Sequence, residues 1–560
     1  MKTITSSLSS NPEVLIIGSG PTGLSLALDL HQRGVNYRLL EKLDHPLVFS
    51  KANTQMTRTL EMFDRLGVAE AIMEIGNELP KAAIFKDGKL ISNFKVEMET
   101  TTMPFLINIA QNQLEDILRA KLKAMGGAVD YNWELTDLEQ TENHVTAHFL
   151  LPNGQKQTLQ TQYLIGTDGA HSQVRQLLAL PLEGITYPDS LVVTDLYVNL
   201  DLVFDTSYMW IHDQTFLLGT PYRERNYWHF VFNLTPTQAE TWGPHPTLDQ
   251  VQDIVRERIG KPELQLYDPT WISRFRIHKR KVSKYRVGRV LVIGDAAHLH
   301  SPMGGKGLGN SAQEAFNLSW KLASVLRGIA DPKLLDTIEE ERLPILHSVM
   351  QESEISHLMF VGKQPIFRLI RNYMLPLLLK IKPIARTVTN QNAQITDHYR
   401  TSSLTSQHTD SPNIARSKVW KQGPQAGDRA PDICLEHPDG TPIMLFEVLK
   451  HVGWILLVFS NDVKPNQIHQ LRHSVAVYGS HVKMVEIGTH GELRDPQGLA
   501  AQLYTASISK MYLVRPDGYI GFRSQSVQST PLLRYLERIF LPKVTSLPTS
   551  QFIPVKEVQP

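Results

Sequence analysis

Three short segments of this 560-residue chain gather the residue types that handle phosphate and ribose. Gly18, Gly20 and Gly23 follow the apolar run Val14-Leu15-Ile16-Ile17 with the spacing Gly-x-Gly-x-x-Gly. In that spacing the first glycine permits a tight turn, the second lets backbone approach a pyrophosphate, and the third lets the next helix lie close to the strand. Pro21 and Thr22 then open a helix expected over 21–33, where proline's missing N–H has no partner in any case, and Gly34 caps its end. A second strand, 35–40, ends on Glu41 and Lys42. A carboxylate about 20 residues beyond such glycines accepts hydrogen bonds from a ribose hydroxyl and repels a 2′-phosphate, so this site predicts FAD or NAD rather than NADPH.

The second and third segments repeat the strand-then-turn design. Tyr163-Leu164-Ile165-Gly166 and Arg289-Val290-Leu291-Val292-Ile293 read as buried strands delivering Asp168-Gly169 and Gly294-Asp295 to their carboxyl ends, the ligand edge of a parallel sheet. Asp295 beside a ribityl chain would accept from its hydroxyls; the plainer alternative is an Asp that caps a helix. After Ser301-Pro302-Met303, the run Gly304-Gly305-Lys306-Gly307-Leu308-Gly309 holds four glycines in six positions, ahead of a helix expected from about 311 to 326. Such a backbone must approach something closely, and the helix N-terminus favours negative charge such as that of a reduced flavin.

Composition bounds what these segments can belong to. With 42% hydrophobic and 20% charged residues the chain reads as an ordinary globular protein of two or three domains. Lys plus Arg is 57 against 56 for Asp plus Glu, so nothing predicts a nucleic-acid partner. The single cysteine, Cys434, excludes an internal disulfide, a CxxC redox pair and a multi-cysteine zinc site. His298-x-His300 lacks companions for a metal set, so no metal is expected. The N-terminal stretch lacks a signal-peptide pattern and no run of 18 apolar residues occurs, which predicts a cytoplasmic protein without stable membrane insertion. Met374-Leu375-Pro376-Leu377-Leu378-Leu379, flanked by Arg368, Arg371, Lys380, Lys382 and Arg386, reads as a packed helix, the alternative being a basic amphipathic helix on a membrane surface.

Between the second and third segments, 191–199, 215–221 and 227–234 alternate apolar and polar residues, as in an antiparallel sheet with one covered face. Eight basic residues between Arg274 and Arg289 read as a solvated face, part of which would attract the phosphates of a nicotinamide donor.

These segments, with Arg58-Thr59-Leu60-Glu61, Gln111-x-x-Leu114-Glu115, Trp271-x-Ser273-x-Phe275, Arg286-x-Gly288-Arg289-Val290 and Asn317-Leu318-x-Trp320-Lys321-Leu322, make the chain resemble the class A flavoprotein monooxygenases of the p-hydroxybenzoate hydroxylase and phenol hydroxylase type. The likeness runs over about 520 residues. Ala426-Gly427-Asp428-Arg429-Ala430-Pro431 and Tyr512 to Ile520 are similar to the thioredoxin-like C-terminal domain of the phenol hydroxylase branch.

The resemblance implies an α/β fold: a Rossmann-like FAD-binding domain (12–182 and 277–400, the latter with a helical segment), an inserted antiparallel substrate sheet (183–276), a linker (401–424), a thioredoxin-like domain without CxxC (425–543) and a tail (544–560). It implies FAD contacts from Gly18, Gly20, Pro21, Thr22, Gly23, Glu41, Lys42, Lys51, Gln111, Asp168, Gly169, Gly294 and Asp295. Pro302, Gly305, Gly307, Leu308 and Gly309 would position flavin ring and substrate through backbone. Tyr197, Met209, Trp210, Phe216, Tyr222 and Trp228 would line the substrate pocket, with plain core as the alternative.

The implied activity consumes NADPH or NADH and O2, inserting one oxygen atom through a flavin C4a-hydroperoxide into a small phenolic or polyketide-like molecule, in a chain that forms a homodimer in some relatives. Baeyer–Villiger oxidation on the same scaffold and a non-catalytic flavin-binding interaction protein are the alternatives. Lys51 stands where relatives usually carry Arg, Lys306 where they carry Gln, and Gly309 where they carry Asn.

Overall fold

The computed structural model describes residues 11–47, 52–96, 98, 100–213, 215–300, 305–361 and 364–542. They divide into a larger compact unit (Met1–Glu99, Met103–Ser319, Arg342–Thr396) and a smaller one (Thr100–Thr102, Trp320–Glu341, Asp397–Pro560).

Four strands of the larger unit carry the predicted segments: β1 (Val14–Ile17), β2 (Tyr37–Leu40), β3 (Tyr163–Gly166) and β4 (Val290–Val292). They lie side by side and parallel in the order β4-β3-β1-β2, with Val129–Asp130 beyond β2 and Arg286–Val287 antiparallel beyond β4. β1, β3 and β4 are buried throughout, which is why their sequences are unbroken apolar runs rather than alternations. Their registers are level, Ile17 facing both Leu40 and Gly166 and Gly166 facing Val292. The residues after these strands therefore share one edge.

The second large sheet has eight strands, mostly antiparallel. Its centre is Glu183–Val198, Thr206–Ile211, Phe216–Pro221, Tyr227–Asn233 and Leu266–Lys281, but its far edge is the hairpin Lys81–Lys86 and Lys89–Lys95. That hairpin precedes the second segment in the chain, inside the range expected to be FAD-binding domain alone. One sheet face packs on the helix Leu248–Ile259, which a Thr247/Gln250 capping box starts and Gly260, at φ +77°, ends.

In the smaller unit Trp454–Phe459 and Val482–Ile487 are parallel, joined by the crossover helix Pro465–Ala476, while Met511–Val514 and Ile520–Ser524 run antiparallel on the other side. This is thioredoxin-like topology, and its only cysteine, Cys434, is a free thiol outside that sheet. The expected linker, 401–424, is structured: Ser406–His408 adds a strand beside Ile520–Ser524, and two short helices bury Trp420 under Arg523.

Candidate functional site

The shared edge of β1 to β4 brings the three segments together. Gly18 has φ +103°, and a Cβ there would stand 2.6 Å from the Thr167 carbonyl oxygen; one on Gly23 would stand 2.0 Å from the Gly18 carbonyl oxygen. Both glycines are required by chain meeting chain. Gly20 differs, with nothing within 4 Å of its Cβ position, so the space over it is open to a ligand. Thr167 Oγ1 donates to the carbonyls of Ile17 and Gly18, at 2.9 and 2.7 Å, and fixes the second segment against the first.

Glu41 accepts from the Ser19 amide and hydroxyl through Oε2 (2.8 and 3.1 Å) and from the Leu43 amide through Oε1. A carboxylate has about four lone-pair directions, so it retains capacity for a ribose hydroxyl. Lys42 beside it is exposed. Pro21 opens the helix Pro21–Gln32, with Thr22 buried behind it. Gln111 opens the helix Gln111–Ala124 and donates to Glu115 at 2.9 Å.

Asp168 caps the next helix with one oxygen and keeps the other. Its Oδ2 takes the amides of Gln173 and Val174 (2.7 and 3.1 Å), whereas Oδ1 is buried with no hydrogen-bond partner among the described residues. Burial raises the pKa of this carboxyl. An orphaned acceptor beside Gly169, whose φ is +77° and whose surroundings are open, fits a hydroxyl- or amide-bearing ligand. With open Gly20 and the Glu41 carboxylate on the same edge, the residues present fit FAD. Asp295, exposed on the turn Gly294–Ala296, completes the edge. Arg175 donates to the carbonyls of Ala170 and Ala296 and so ties the second segment to the third.

Lys51 and Pro302 lie outside the described residues. Beyond Gly305 (φ +66°) the helix Gly307–Leu326 starts earlier than expected. The Asn310 amide bonds back to the Lys306 carbonyl, so Gly307, Leu308 and Gly309 form the first turn, whose amides have no partner within the helix itself. Both departures from the family pattern have local causes. The Lys306 ammonium turns away from that first turn, bonding Glu352 and the Gln391 carbonyl. A Cβ at Gly309 would stand 2.7 Å from both Gln394 Oε1 and Thr59 Oγ1, so the glycine makes room for those side chains.

The pocket residues separate by strand parity. Trp210 and Trp228 lie on the sheet face covered by Leu248–Ile259 and belong to its core, a correction to their expected lining role. Met209 packs with Ile84, Ile211 and Leu379, and Phe216 with Leu191, Val193 and Val231, on the other face. Tyr197 sits half-buried near a strand end, bonded to Glu224, which pushes its hydroxyl pKa up to about 12. Tyr222 is buried and donates to Asp195 Oδ1 at 3.1 Å.

Two buried polar groups were not predicted. Asp195 Oδ1 also meets His229 Nδ1 at 2.6 Å, and the row continues in register to Thr220, whose hydroxyl accepts from Asn53 at 2.9 Å. Asn53 precedes Thr54, which borders Gly305. The only sequence signal was polar residues interrupting apolar strands; their pairing is a matter of register. The second group surrounds Glu314: Oε1 takes Tyr285 and His298 (2.7 and 2.8 Å), and Oε2 takes the Gly294 amide (2.7 Å). Burial alone would lower the His298 pKa, and the Glu314 charge more than reverses it. His298 is thus held by the Glu314 carboxylate, and among the described residues no group of three or more His, Cys, Asp or Glu side chains could hold a metal ion.

The chain is similar to known proteins over most of its length. Residues 11–353 match the family described as FAD binding domain, and 423–542 match the aromatic-ring hydroxylase C-terminal domain. The chain is 32% identical to a flavin-dependent monooxygenase of Mycobacteroides abscessus, covering 94% of this chain and 99% of the relative. It is 29% identical to pentachlorophenol 4-monooxygenase of Sphingobium chlorophenolicum, covering 92% and 94%. The solved structure of OxyS, anhydrotetracycline hydroxylase of Streptomyces rimosus, aligns with a TM-score of 0.76 at 27% identity, covering 95% of this chain and all of OxyS.

Proposed function

Since the chain belongs to the FAD binding domain family and carries the aromatic-ring hydroxylase C-terminal domain, we propose that it is a monooxygenase that hydroxylates a small phenolic or polyketide-like aromatic molecule. The observation that carries this reading is the shared edge of β1 to β4, where open Gly20, Glu41 and the orphaned Asp168 oxygen stand ready for FAD. Bound there, FAD supplies electron transfer from NADPH or NADH and the activation of O2.

The chain's own residues do the rest. The amides of Gly307, Leu308 and Gly309 favour negative charge at the ring end, while Gln111, Gly169, Gly294 and Asp295 line its approach. The sheet face bearing Met209, Phe216, Tyr222, Asp195 and His229 covers the acceptor and excludes water. His229, held by Asp195, is our candidate to take the phenolic proton; an ionised phenol is the stronger nucleophile toward electrophilic oxygen. Within this reading the protein is cytoplasmic, takes no nucleic acid and can pair as a homodimer.

The test is NAD(P)H oxidation by the FAD-loaded protein across a panel of phenols and aromatic polyketides under ¹⁸O2. We expect substrate-stimulated oxidation and one labelled oxygen in the product. His229→Asn should lower product formation about a hundredfold and flatten its pH profile. Consumption that no aromatic stimulates, or product without label, would overturn the proposal.

A further inference from the structure

The helical segment from Pro365 to Asn392 carries an apolar stripe that nothing in its own unit covers. Ile366, Leu369, Tyr373, Met374, Leu377 and Ile381 are each 48–63% exposed. Ile366, Leu369, Tyr373, Met374 and Leu377 recur every one to four residues along the helical run 365–378, which holds one π turn at Ile370–Met374, and Ile381 follows at the extended cap of the next helix, so they cluster rather than stand as scattered single exposures. The opposite face is anchored. Arg371 is buried and donates to the carbonyls of His212 and Asp213 (3.0 Å each), while Leu379 and Leu375 pack with Ile84, Ile211 and Met209 of the eight-stranded sheet. The stripe is therefore held outward by a fixed scaffold. A packed helix, the reading favoured from sequence, would have buried it.

Charge identifies what the stripe fits. The chain as a whole has 56 acidic residues in 560, yet 355–396 contains none, against six basic ones: Lys363, Arg368, Arg371, Lys380, Lys382 and Arg386. Lys380, Lys382 and Arg386 are exposed beside the stripe. Lys86 adds a cation 5.2 Å over the Tyr373 ring. Of the acids close by, Asp87 is engaged by Lys86 and His212 and Glu354 by Lys279, while exposed Asp213 lies beside the buried Arg371 rather than on the stripe's exposed cations. A second copy docked through the same face by a two-fold axis would oppose these cations to their own kind. An anionic bilayer instead takes apolar side chains into its acyl boundary and lysines among its headgroups.

We propose that this face seats the protein peripherally on an anionic phospholipid surface, without any segment crossing it. Among the described residues no helix is long and apolar enough to cross a membrane. Because the anchored side of the segment packs on Met209 and its strand, docking would present the sheet that covers the acceptor to the place where apolar aromatics accumulate. The proposal stands whatever the acceptor proves to be.

The experiment is co-sedimentation of the full-length, FAD-loaded protein with phosphatidylcholine vesicles containing about one third phosphatidylglycerol, and with phosphatidylcholine alone. We expect binding to the anionic vesicles, at least tenfold weaker binding without phosphatidylglycerol, and loss in high salt. Tyr373→Glu with Leu377→Glu should abolish binding, and Lys380→Glu with Lys382→Glu should weaken it well over tenfold, whereas Val477→Glu, on an exposed site of the smaller unit, should not. Flavin content and thermal midpoint confirm that each variant is folded. Protein that stays in solution with anionic vesicles overturns the proposal, as do stripe variants that still bind. A dimer in analytical ultracentrifugation that the stripe variants dissociate, without vesicle binding, would assign the face to a second copy instead.

Discussion

Gly20 and Gly23 stand three positions apart in one motif and do different work. The Gly23 site is closed by the chain itself, since its Cβ would lie 2.0 Å from a backbone oxygen that cannot move without shifting β1. Gly20 faces open space. Gly23→Ala should therefore cost about 1–3 kcal/mol of stability or more, the scale of overpacking in a rigid core, and be read as a fall in thermal midpoint of the flavin-free protein. Gly20→Ala should leave that midpoint unchanged and weaken FAD binding about tenfold or more, read by flavin fluorescence quenching. Equal effects on the flavin-free protein would refute the distinction. Lys306 and Gly309 show the same division at the third segment: residue types unusual for the position are answered by Glu352, Gln394 and Thr59, side chains far away in sequence.

At the scale of elements, the helix Gly307–Leu326 holds the third segment from behind. Glu314, two turns in, accepts from the Gly294 amide and from His298, so one buried carboxylate fixes both ends of the turn that presents Asp295. Breaking a buried pair leaves the other charge uncompensated, which costs about 3–5 kcal/mol. Glu314→Gln should lose stability on that scale in denaturant unfolding and release flavin more readily. Strand parity decides the eight-stranded sheet in the same way: Trp228 and His229 are neighbours in sequence, but one enters the core against Leu248–Ile259 and the other joins Asp195 on the opposite face.

For the whole molecule, the Trp320-Lys321 part of a motif first read with the flavin module belongs to the smaller unit. Lys321, Glu341, Arg515 and Asp517 form a fully buried charge cluster there, Lys321 Nζ lying 2.7 Å and Arg515 Nη2 2.9 Å from Glu341. Burial alone would raise the Glu341 pKa, but Arg515 and Lys321 hold it far below the usual 4.5. A depressed carboxylate pKa contributes stability that is complete above the unfolded value and lost as pH falls below it. Burial lowers Lys321 to about 8, so the unfolded chain binds the extra proton between about 8 and 10.5 and stability rises with pH across that window. The thermal midpoint should thus drop steeply below about pH 4.5, and Glu341→Gln should be less stable at neutral pH yet flatter in acid. A variant that tracks the parent protein through acid would remove Glu341 from the account.

The edge proposed to hold FAD is legible in the local sequence. Each of its segments is a strand followed at once by its turn, so the chemistry of Gly18, Glu41, Asp168 and Gly294 is set within a few residues of chain, and parallel burial leaves an unbroken apolar signature. The sequence likewise exposed the lack of a cysteine pair in the C-terminal unit. The tertiary structure settles which residues of the second sheet pack under Leu248–Ile259 and which lie on its other face, that Asp195 meets His229, that the hairpin 81–95 joins that sheet, and that the 366–381 stripe is bare. Those facts depend on register and on partners dozens to hundreds of residues apart, and local composition carries no record of such pairings.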